Sequence, residues 1–348
     1  MPQPVTLADI ARKSKCSVST VSLVLRGKPG LAAETRARVL IAARSLHYQP
    51  RGGPNGQTPA HPVGQLRNVG VILKAEAGSV PHSNAFYSHV LAGIEAACRR
   101  RKLNLLYATI PVDENNVPLE MPQLLSDTQA DGFLLLGAFV GETLFRLLGD
   151  TSKPVVLVDA YADAGQYDSV LSDNLFGAFQ ATSALIARGH RHIGLVGGHP
   201  QAYPSVRERR DGYLQALRAH GLADTYCACC PLNDEAAMQA TLTLLQDHPE
   251  VTALVGVNDA VAVAGLRAAQ TLGRRVPKDL SIIGFDDIDL AQHVTPKLTT
   301  MQVDKAAMGR LAMLLLQNRF EAPEAERDTV SLRPRLIERE SVAGPNTR

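Results

Sequence analysis

From Asn68 to Phe285 the sequence alternates two textures, and that alternation limits the folds open to it. Short runs dense in Val, Ile and Leu (NVGVIL, LNLLYAT, DGFLLL, PVVLV, SVLS, HIGLVG, TYCAC, TALVGV, SIIGF) are separated by helical patterns over 86–101, a short stretch before 128, 142–148, 175–188, 207–220, 235–246 and 259–271. Strands that are apolar on both faces and joined by helices belong to parallel sheets covered on each side. Roughly ten such strands suit two sheets rather than one. The fold class expected is therefore a small all-α head followed by an α/β body of two doubly wound lobes. Lobes of this kind bind a ligand in the cleft between them, at the carboxyl ends of the strands.

The head is set apart by charge. Residues 1–62 hold nine Lys and Arg against Asp9 and Glu34, a balance of +7, which leaves −5 for the remainder of a chain with net charge +2. A basic head on a mildly acidic body points the head at a polyanion, most often nucleic acid. Thr6 and Asp9 have the spacing of a capping box before the apolar stripe Leu7, Ile10 and Ala11. That helix is expected to end near Ser14. Ser17 then caps a second helix with Val21, Val24 and Leu25 on its buried face and Val18, Ser19, Ser22 and Leu23 at its exposed leading end; a third helix spans Ala33 to Leu46. Two helices joined by so short a turn form a helix-turn-helix, the unit that lays its second helix in the DNA major groove. An ordinary three-helix bundle is the alternative, and the charge disfavours it. Residues 51–65, RGGPNGQTPAHPVGQ, read as a linker.

Other classes lose support from the same sequence. No apolar run approaches the ~18 residues of a membrane span, and MPQPVTLADIARKSK lacks an apolar signal core, so a cytoplasmic protein with no membrane partner is expected. The five cysteines suit reduced thiols. Cys227, Cys229 and Cys230 lie along a strand, where alternation sends neighbours to opposite faces, and His190, His192 and His199 lack cysteine or carboxylate partners at ligand spacing, so no metal site is expected. Gly194, Gly197 and Gly198 form neither a P-loop nor a GxGxxG turn, and no G-x-S-x-G or H-E-x-x-H occurs, so neither a cofactor nor a catalytic residue is expected. A sugar-modifying enzyme and an exported solute-binding protein remain the rival classes.

The segment VTLADIARKSKCSVSTVSLVLRGKPGLAAETRARVLIAARSLHYQP resembles the DNA-binding head of the lactose and galactose repressor family. The body agrees through SNAFYSHVLAGIEAA, SDNLFGAFQATSALIARGHRHIGLVGG, RERRDGYLQAL, NDAVAVAGLRAAQTLG and VPKDLSIIGFDDIDLAQHVTPKLTTMQVDKAAMGRLA, so the similarity runs from about Val5 to Ser341. The resemblance implies a homodimeric transcriptional repressor that binds double-stranded operator DNA. Its body would be periplasmic-binding-protein-like and controlled by a small-molecule effector, a sugar or sugar derivative. It implies a DNA-binding domain over 1–50, a hinge over 51–66 and a body over 67–341, with lobes of 67–165 plus 304–328 and 166–303 plus 329–341. Thr6, Ser17, Val18, Ser19, Thr20, Ser22, Leu23, Lys28 and Arg36 fall where the family meets DNA. Val18, Ser19 and Thr20 lie at base edges, and Thr6, Ser22, Lys28 and Arg36 lie near phosphates. Asn84, Phe86, Asp159, Asn174, Arg207, Asn258 and Asp286 fall around the effector cleft, with Asp173 beside them. Carboxylates and amides there would meet hydroxyl pairs, an arginine fork would grip oxygens, and a ring would cover an apolar sugar face. Simple helix capping is the competing role for Asn174 and Asn258, and solvation or capping for Asp287 and Asp289.

Three departures from the family pattern stand out. Lys15 replaces the usual glycine of the interhelical turn, where a left-handed residue costs roughly 1 kcal/mol more without glycine. Leu23 replaces a common arginine of the recognition helix. The linker lacks the family's hinge-helix pattern: Pro54, Pro59 and Pro62 with Gly52, Gly53, Gly56 and Gly64 oppose a helix, leaving Val63 and Leu66 as apolar wedge candidates and an extended tether as the expectation.

Overall fold

The computed structural model describes residues 6–25, 35, 38, 39, 42, 43 and 46, then 66–76, 85–113, 117–126, 129–137, 148, 153–162, 166–223 and 225–346. The chain forms two compact units, Met1–Gln65 and Leu66–Arg348.

In the head, α1 (Leu7–Ser14) begins at Thr6, whose amide and hydroxyl both donate to the Asp9 carboxylate at 2.8 and 2.6 Å. A carboxylate in the first turn also meets the positive end of the helix dipole, while Arg12 and Lys13 sit at its negative end. The helix stops at Lys15, which is left-handed at φ 53 and ψ 43, in the conformation that the missing glycine would favour. The Cys16 amide reaches back to the Ala11 carbonyl at 3.0 Å. α2 (Val18–Leu25) follows at once, its first turn capped by Ser17 Oγ accepting from the Thr20 amide at 3.0 Å. Ile10, Ala11, Val21 and Val24 pack with Val39, Ala42 and Ala43 in one small core. Most of the expected third helix and all of 51–65 lie outside the described residues, and with them the tether expectation. Leu66, placed in the hinge by the sequence reading, is instead buried in the core of the body.

The body alternates as its texture demands. β1 (Asn68–Glu76), α3 (Ala85–Arg101), β2 (Asn104–Val112), α4 (Gln123–Ser126), β3 (Gly132–Leu136), β4 (Val155–Val158) and β5 (Asp168–Ser172) open it. α5 (Asn174–Ala187), β6 (Ile193–Val196), α6 (Pro204–Ala219), β7 (Tyr226–Ala228), α7 (Asp234–Asp247), β8 (Ala253–Gly256), α8 (Asp259–Thr271), β9 (Ser281–Asp286), α9 (Leu290–His293) and β10 (Thr299–Gln302) continue it, and α10 (Lys305–Glu321), β11 (Thr329–Leu332) and β12 (Arg335–Ile337) close it. Two six-stranded sheets result, ordered β11-β5-β4-β3-β1-β2 and β12-β10-β9-β8-β6-β7, with only the β10–β12 pairing antiparallel among the described strands. No helix among the described residues is long and apolar enough to cross a membrane.

The lobe boundaries drawn from sequence need correction. β5 and β11 both belong to the first sheet, paired in parallel from Ser169–Thr329 to Ser172–Leu332, so 166–172 and 329–332 leave the lobe to which they were assigned. The physical cause is long-range: Arg319 of α10 grips the buried Asp168 carboxylate at 2.7 and 2.9 Å while the Asp328 amide donates to it at 2.9 Å, pinning both strands to one sheet. β10, β11 and β12 (TTMQ, TVSL, RLI) escaped the sequence reading because they carry no apolar run. The expected helix over 142–148 lies outside the described residues except for Leu148.

The first lobe is closed by α3 crossing α10 through facing glycines. A Cβ on Gly309 would sit within the van der Waals envelope of the Val90 carbonyl oxygen, and one on Gly93 within that of Ala306. Gly309→Ala is therefore expected to destabilise the protein by about 1–3 kcal/mol through overpacking, despite the roughly 1 kcal/mol that alanine gains in helix propensity. Urea unfolding tests this, and a higher midpoint for the variant would contradict the close crossing.

Candidate functional site

Two surfaces carry polar chemistry, one in each unit. In the head, Val18 and Leu23 expose large apolar side chains, at 47% and 44%, on α2 beside the exposed Ser19 and partly exposed Ser22. Ser17 and Thr20 bond to each other at 2.8 Å, and the Thr6 hydroxyl is taken up by Asp9, so these three shape the helix starts. Lys28 and Arg36 lie outside the described residues. The exposed face thus offers methyl groups and a hydroxyl at the positive end of a helix, a combination suited to thymine methyls, base edges and phosphates.

In the body, the strand ends collect polar groups. Asp159 follows β4, Asn174 follows β5, Asn258 follows β8, and Asp286 is the last residue of β9. Asp159, Asp286 and Asp287 all adopt positive φ, at 50, 104 and 53°, a strain of order 1–3 kcal/mol each that persists only where surroundings over-determine it. The surroundings are Arg209 and Lys305. Arg209 donates from Nε to Asn174 Oδ1 at 2.8 Å, from Nη1 to the Val257 carbonyl at 2.6 Å and from Nη2 to Asp286 Oδ1 at 2.9 Å, with its plane 3.9 Å over the Phe285 ring. Lys305 donates to the carbonyls of Asp286 and Asp287.

Arg207, the cleft arginine expected from sequence, is corrected by this geometry. It is exposed on α6, whereas Val206, Arg209, Tyr213, Ala216 and Leu217 share the buried face. The signal was present in the helical period, since positions three and four apart fall on one side and 207 lies a third of a turn away from 206. Asp287 is corrected too. It is buried and ion-paired to Arg339 at 2.5 Å, with Gln302 on its other oxygen at 2.6 Å, rather than solvated. Asn174 does not cap α5, because Asp173 does so by accepting from the Phe176 amide at 3.1 Å; Asn258 does cap α8, accepting from Val261 at 2.9 Å.

Residues that the sequence reading did not single out complete the cleft. Tyr87 donates to Asp159 Oδ2 at 2.8 Å, and Phe86 packs edge-on against the Tyr87 ring. Tyr161 donates to Glu208 Oε2 at 3.0 Å, and Asn174 Nδ2 lies 3.0 Å from Tyr161 and 3.1 Å from Glu208. Lys74 reaches the Tyr203 hydroxyl at 2.7 Å from the other sheet. Asn84 lies outside the described residues.

Burial dominates the electrostatics. Asp159 keeps part of its surface open yet lies under enough protein that loss of hydration pushes its carboxyl up to about 6, against the bond from Tyr87 and the field of Arg209. Burial also raises Asp286, opposed by Arg209 and Lys305; the direct 2.9 Å bond from Arg209 identifies the pair as ionised. Asp259, fully buried below them, is pushed up to about 8 by desolvation and then by the neighbouring Asp286. An acid raised on folding keeps its stability contribution at low pH and loses it as the pH climbs through the folded value. The protein is therefore expected to lose stability between about pH 7 and 9, and Asp259→Asn, which can still accept from Ile288 and donate to Thr300, should flatten that decline. Melting curves across this range that are equally steep for both proteins would remove Asp259 as the cause.

A DNA-reading helix-turn-helix and a two-lobed body with a polar cleft at its strand ends define a ligand-responsive transcriptional regulator. Residues 6–51 match the bacterial regulatory proteins of the lacI family, and residues 182–342 match the periplasmic binding protein-like domain. The chain is 31% identical over 347 residues to the ribose operon repressor of Haemophilus influenzae, covering 97% of this chain and 98% of that repressor. It is 33% identical over 325 residues to the HTH-type transcriptional repressor CytR of Escherichia coli (strain K12), covering 91% and 90%. Among solved structures, the transcriptional regulator CelR in complex with cellobiose aligns with a TM-score of 0.70 at 27% identity, covering 97% and 99%. The lac repressor dimer bound to operator and an anti-inducer shares the fold, with a TM-score of 0.69 at 21% identity, covering 98% and 100%. The chain belongs to the LacI family of DNA-binding transcriptional regulators.

Proposed function

We propose that this chain is a homodimeric repressor whose cleft binds a small polyhydroxyl effector, a sugar or sugar derivative, and whose two heads read an operator. The observation that carries this reading is the buried Arg209–Asn174–Asp286 network at the strand ends, where an arginine fork, an amide and a carboxylate stand ready for hydroxyl pairs. Phe86, Asp159, Asn174, Arg209, Asn258 and Asp286, with Asn84, are the proposed effector contacts, Arg209 taking the place of Arg207. Val18, Ser19, Ser22 and Leu23 are the proposed readers of bases, and Thr6, Ser17, Thr20, Lys28 and Arg36 the residues that orient the head on phosphates.

Effector binding then acts by unequal affinity for the open and closed lobe arrangements, which changes the spacing of the paired heads. The cleft is read as a sensing site rather than a catalytic one. A gel shift with the DNA upstream of the chain's own gene tests the regulator, and a thermal-shift screen of sugars identifies the effector, since ligand at 100 times its Kd adds about 2.7 kcal/mol. A chain that retards no such DNA, or a hit sugar that leaves retardation unchanged, would reject the proposal.

A further inference from the structure

The cations that the described residues bring against the cleft are already engaged. Arg209 uses Nε, Nη1 and Nη2 on Asn174, Val257 and Asp286, and its flat face is covered by Phe285. Lys305 has three ammonium protons and three carbonyl partners, on Asp286, Asp287 and Val303. Lys74 holds the Tyr203 hydroxyl at 2.7 Å and lies 4.2 Å over its ring.

The carboxylates are in the opposite position. Asp159 takes Tyr87 on Oδ2, Glu208 takes Tyr161 and Asn174 on Oε2, and Asp286 takes Arg209 on Oδ1, while no described residue donates to the second oxygen of any of them. Three carboxylates therefore face one guanidinium that Asp286 already neutralises, and they repel one another: Asp286 and Glu208 both raise Asp159. The connecting segments 77–84, 138–147 and 163–165 hold Arg146 against Glu142 and Asp163, so their composition adds no compensating positive charge.

We propose that the cleft selects its effector by charge, accepting an uncharged or amine-bearing polyhydroxyl compound and rejecting the phosphorylated form of the same compound. This rests on the reading of the cleft as the effector site. Hydroxyls bring the donors that the open carboxylate oxygens need, and an ammonium brings charge-assisted ones. A phosphate group brings a charge near −2 into a site of low effective dielectric that already carries negative charge and has no donor fork to spare.

The test uses the full-length protein with D-glucose, D-glucosamine and D-glucose 6-phosphate, and with D-ribose and D-ribose 5-phosphate, by thermal shift and calorimetric titration. Where the parent sugar binds, its phosphate is expected to bind at least about 10-fold more weakly, and the amino sugar at least as well as the parent. A phosphate ester that binds more tightly than its parent overturns the proposal. A second arm needs no ligand. Glu208→Gln and Asp159→Asn each remove one repelling charge while keeping an acceptor for Tyr161 or Tyr87, so each should melt about 2 °C or more above the wild type. If neither does, the charge surplus is absent and the proposal falls. If both do and none of the five compounds binds, the charge rule stands and the sugar class proposed above fails.

Discussion

Arg209→Ala is expected to destabilise the protein by about 3–5 kcal/mol, the usual cost of breaking a buried ion pair by removing one partner. The substitution leaves Asp286 charged without its guanidinium, strips the donors from Asn174 Oδ1 and the Val257 carbonyl, and uncovers the Phe285 ring. Adding Asp286→Asn should recover part of the loss, because most of it is the penalty of an uncompensated buried charge. Arg207→Ala, two residues away on the exposed face, should stay within about 0.5 kcal/mol of wild type. Urea unfolding of the four proteins reads all of this directly. Should Arg207→Ala prove the more damaging, the placement of the cleft on α6 would be wrong. The surviving Arg209→Ala protein is also expected to retain DNA binding while losing the effector response, since the substitution lies in the body and not in the head.

DNA binding by the full chain should weaken by about 10³-fold between 50 and 200 mM salt, with paired heads neutralising on the order of six phosphates between them. The basis is the head's +7 balance against the body's −5, which puts the polyanion-binding charge in the first 62 residues. Removing one cation that neutralises a phosphate should reduce the slope of log affinity against log salt by about 0.9. Val18→Ala and Leu23→Ala should leave that slope alone and instead change which sequences are preferred, because both side chains are apolar and exposed on α2. Fluorescence anisotropy across the salt range separates the two effects. A change of less than 10-fold over that range would remove the head's basicity as the source of affinity.

Much of the candidate site was legible in the chain itself. Thr6 and Asp9 announce a capped helix, Ser17 announces the next, and Lys15 marks a left-handed turn between them, all from interactions no more than five residues apart. Asp159, Asn174, Asn258 and Asp286 could be placed at strand ends because the strands before them are continuous apolar runs. Even the correction from Arg207 to Arg209 follows from the spacing of Val206, Tyr213 and Leu217, which is a local periodicity.

The sequence by itself therefore determined the elements, their caps, the charge of the head and the strand ends that bear the polar groups, because each of these depends on neighbours along one helix or strand. Only the tertiary structure decided which sheet received β5 and β11, that Glu208 and Tyr161 meet 47 residues apart, and that Asp287 is buried by Arg339 from 52 residues away. Such pairings depend on which distant groups desolvate one another once the chain has closed its loops. A carboxylate reads the same in sequence whether it ends in water, as Asp289 largely does, or under an arginine, as Asp287 does.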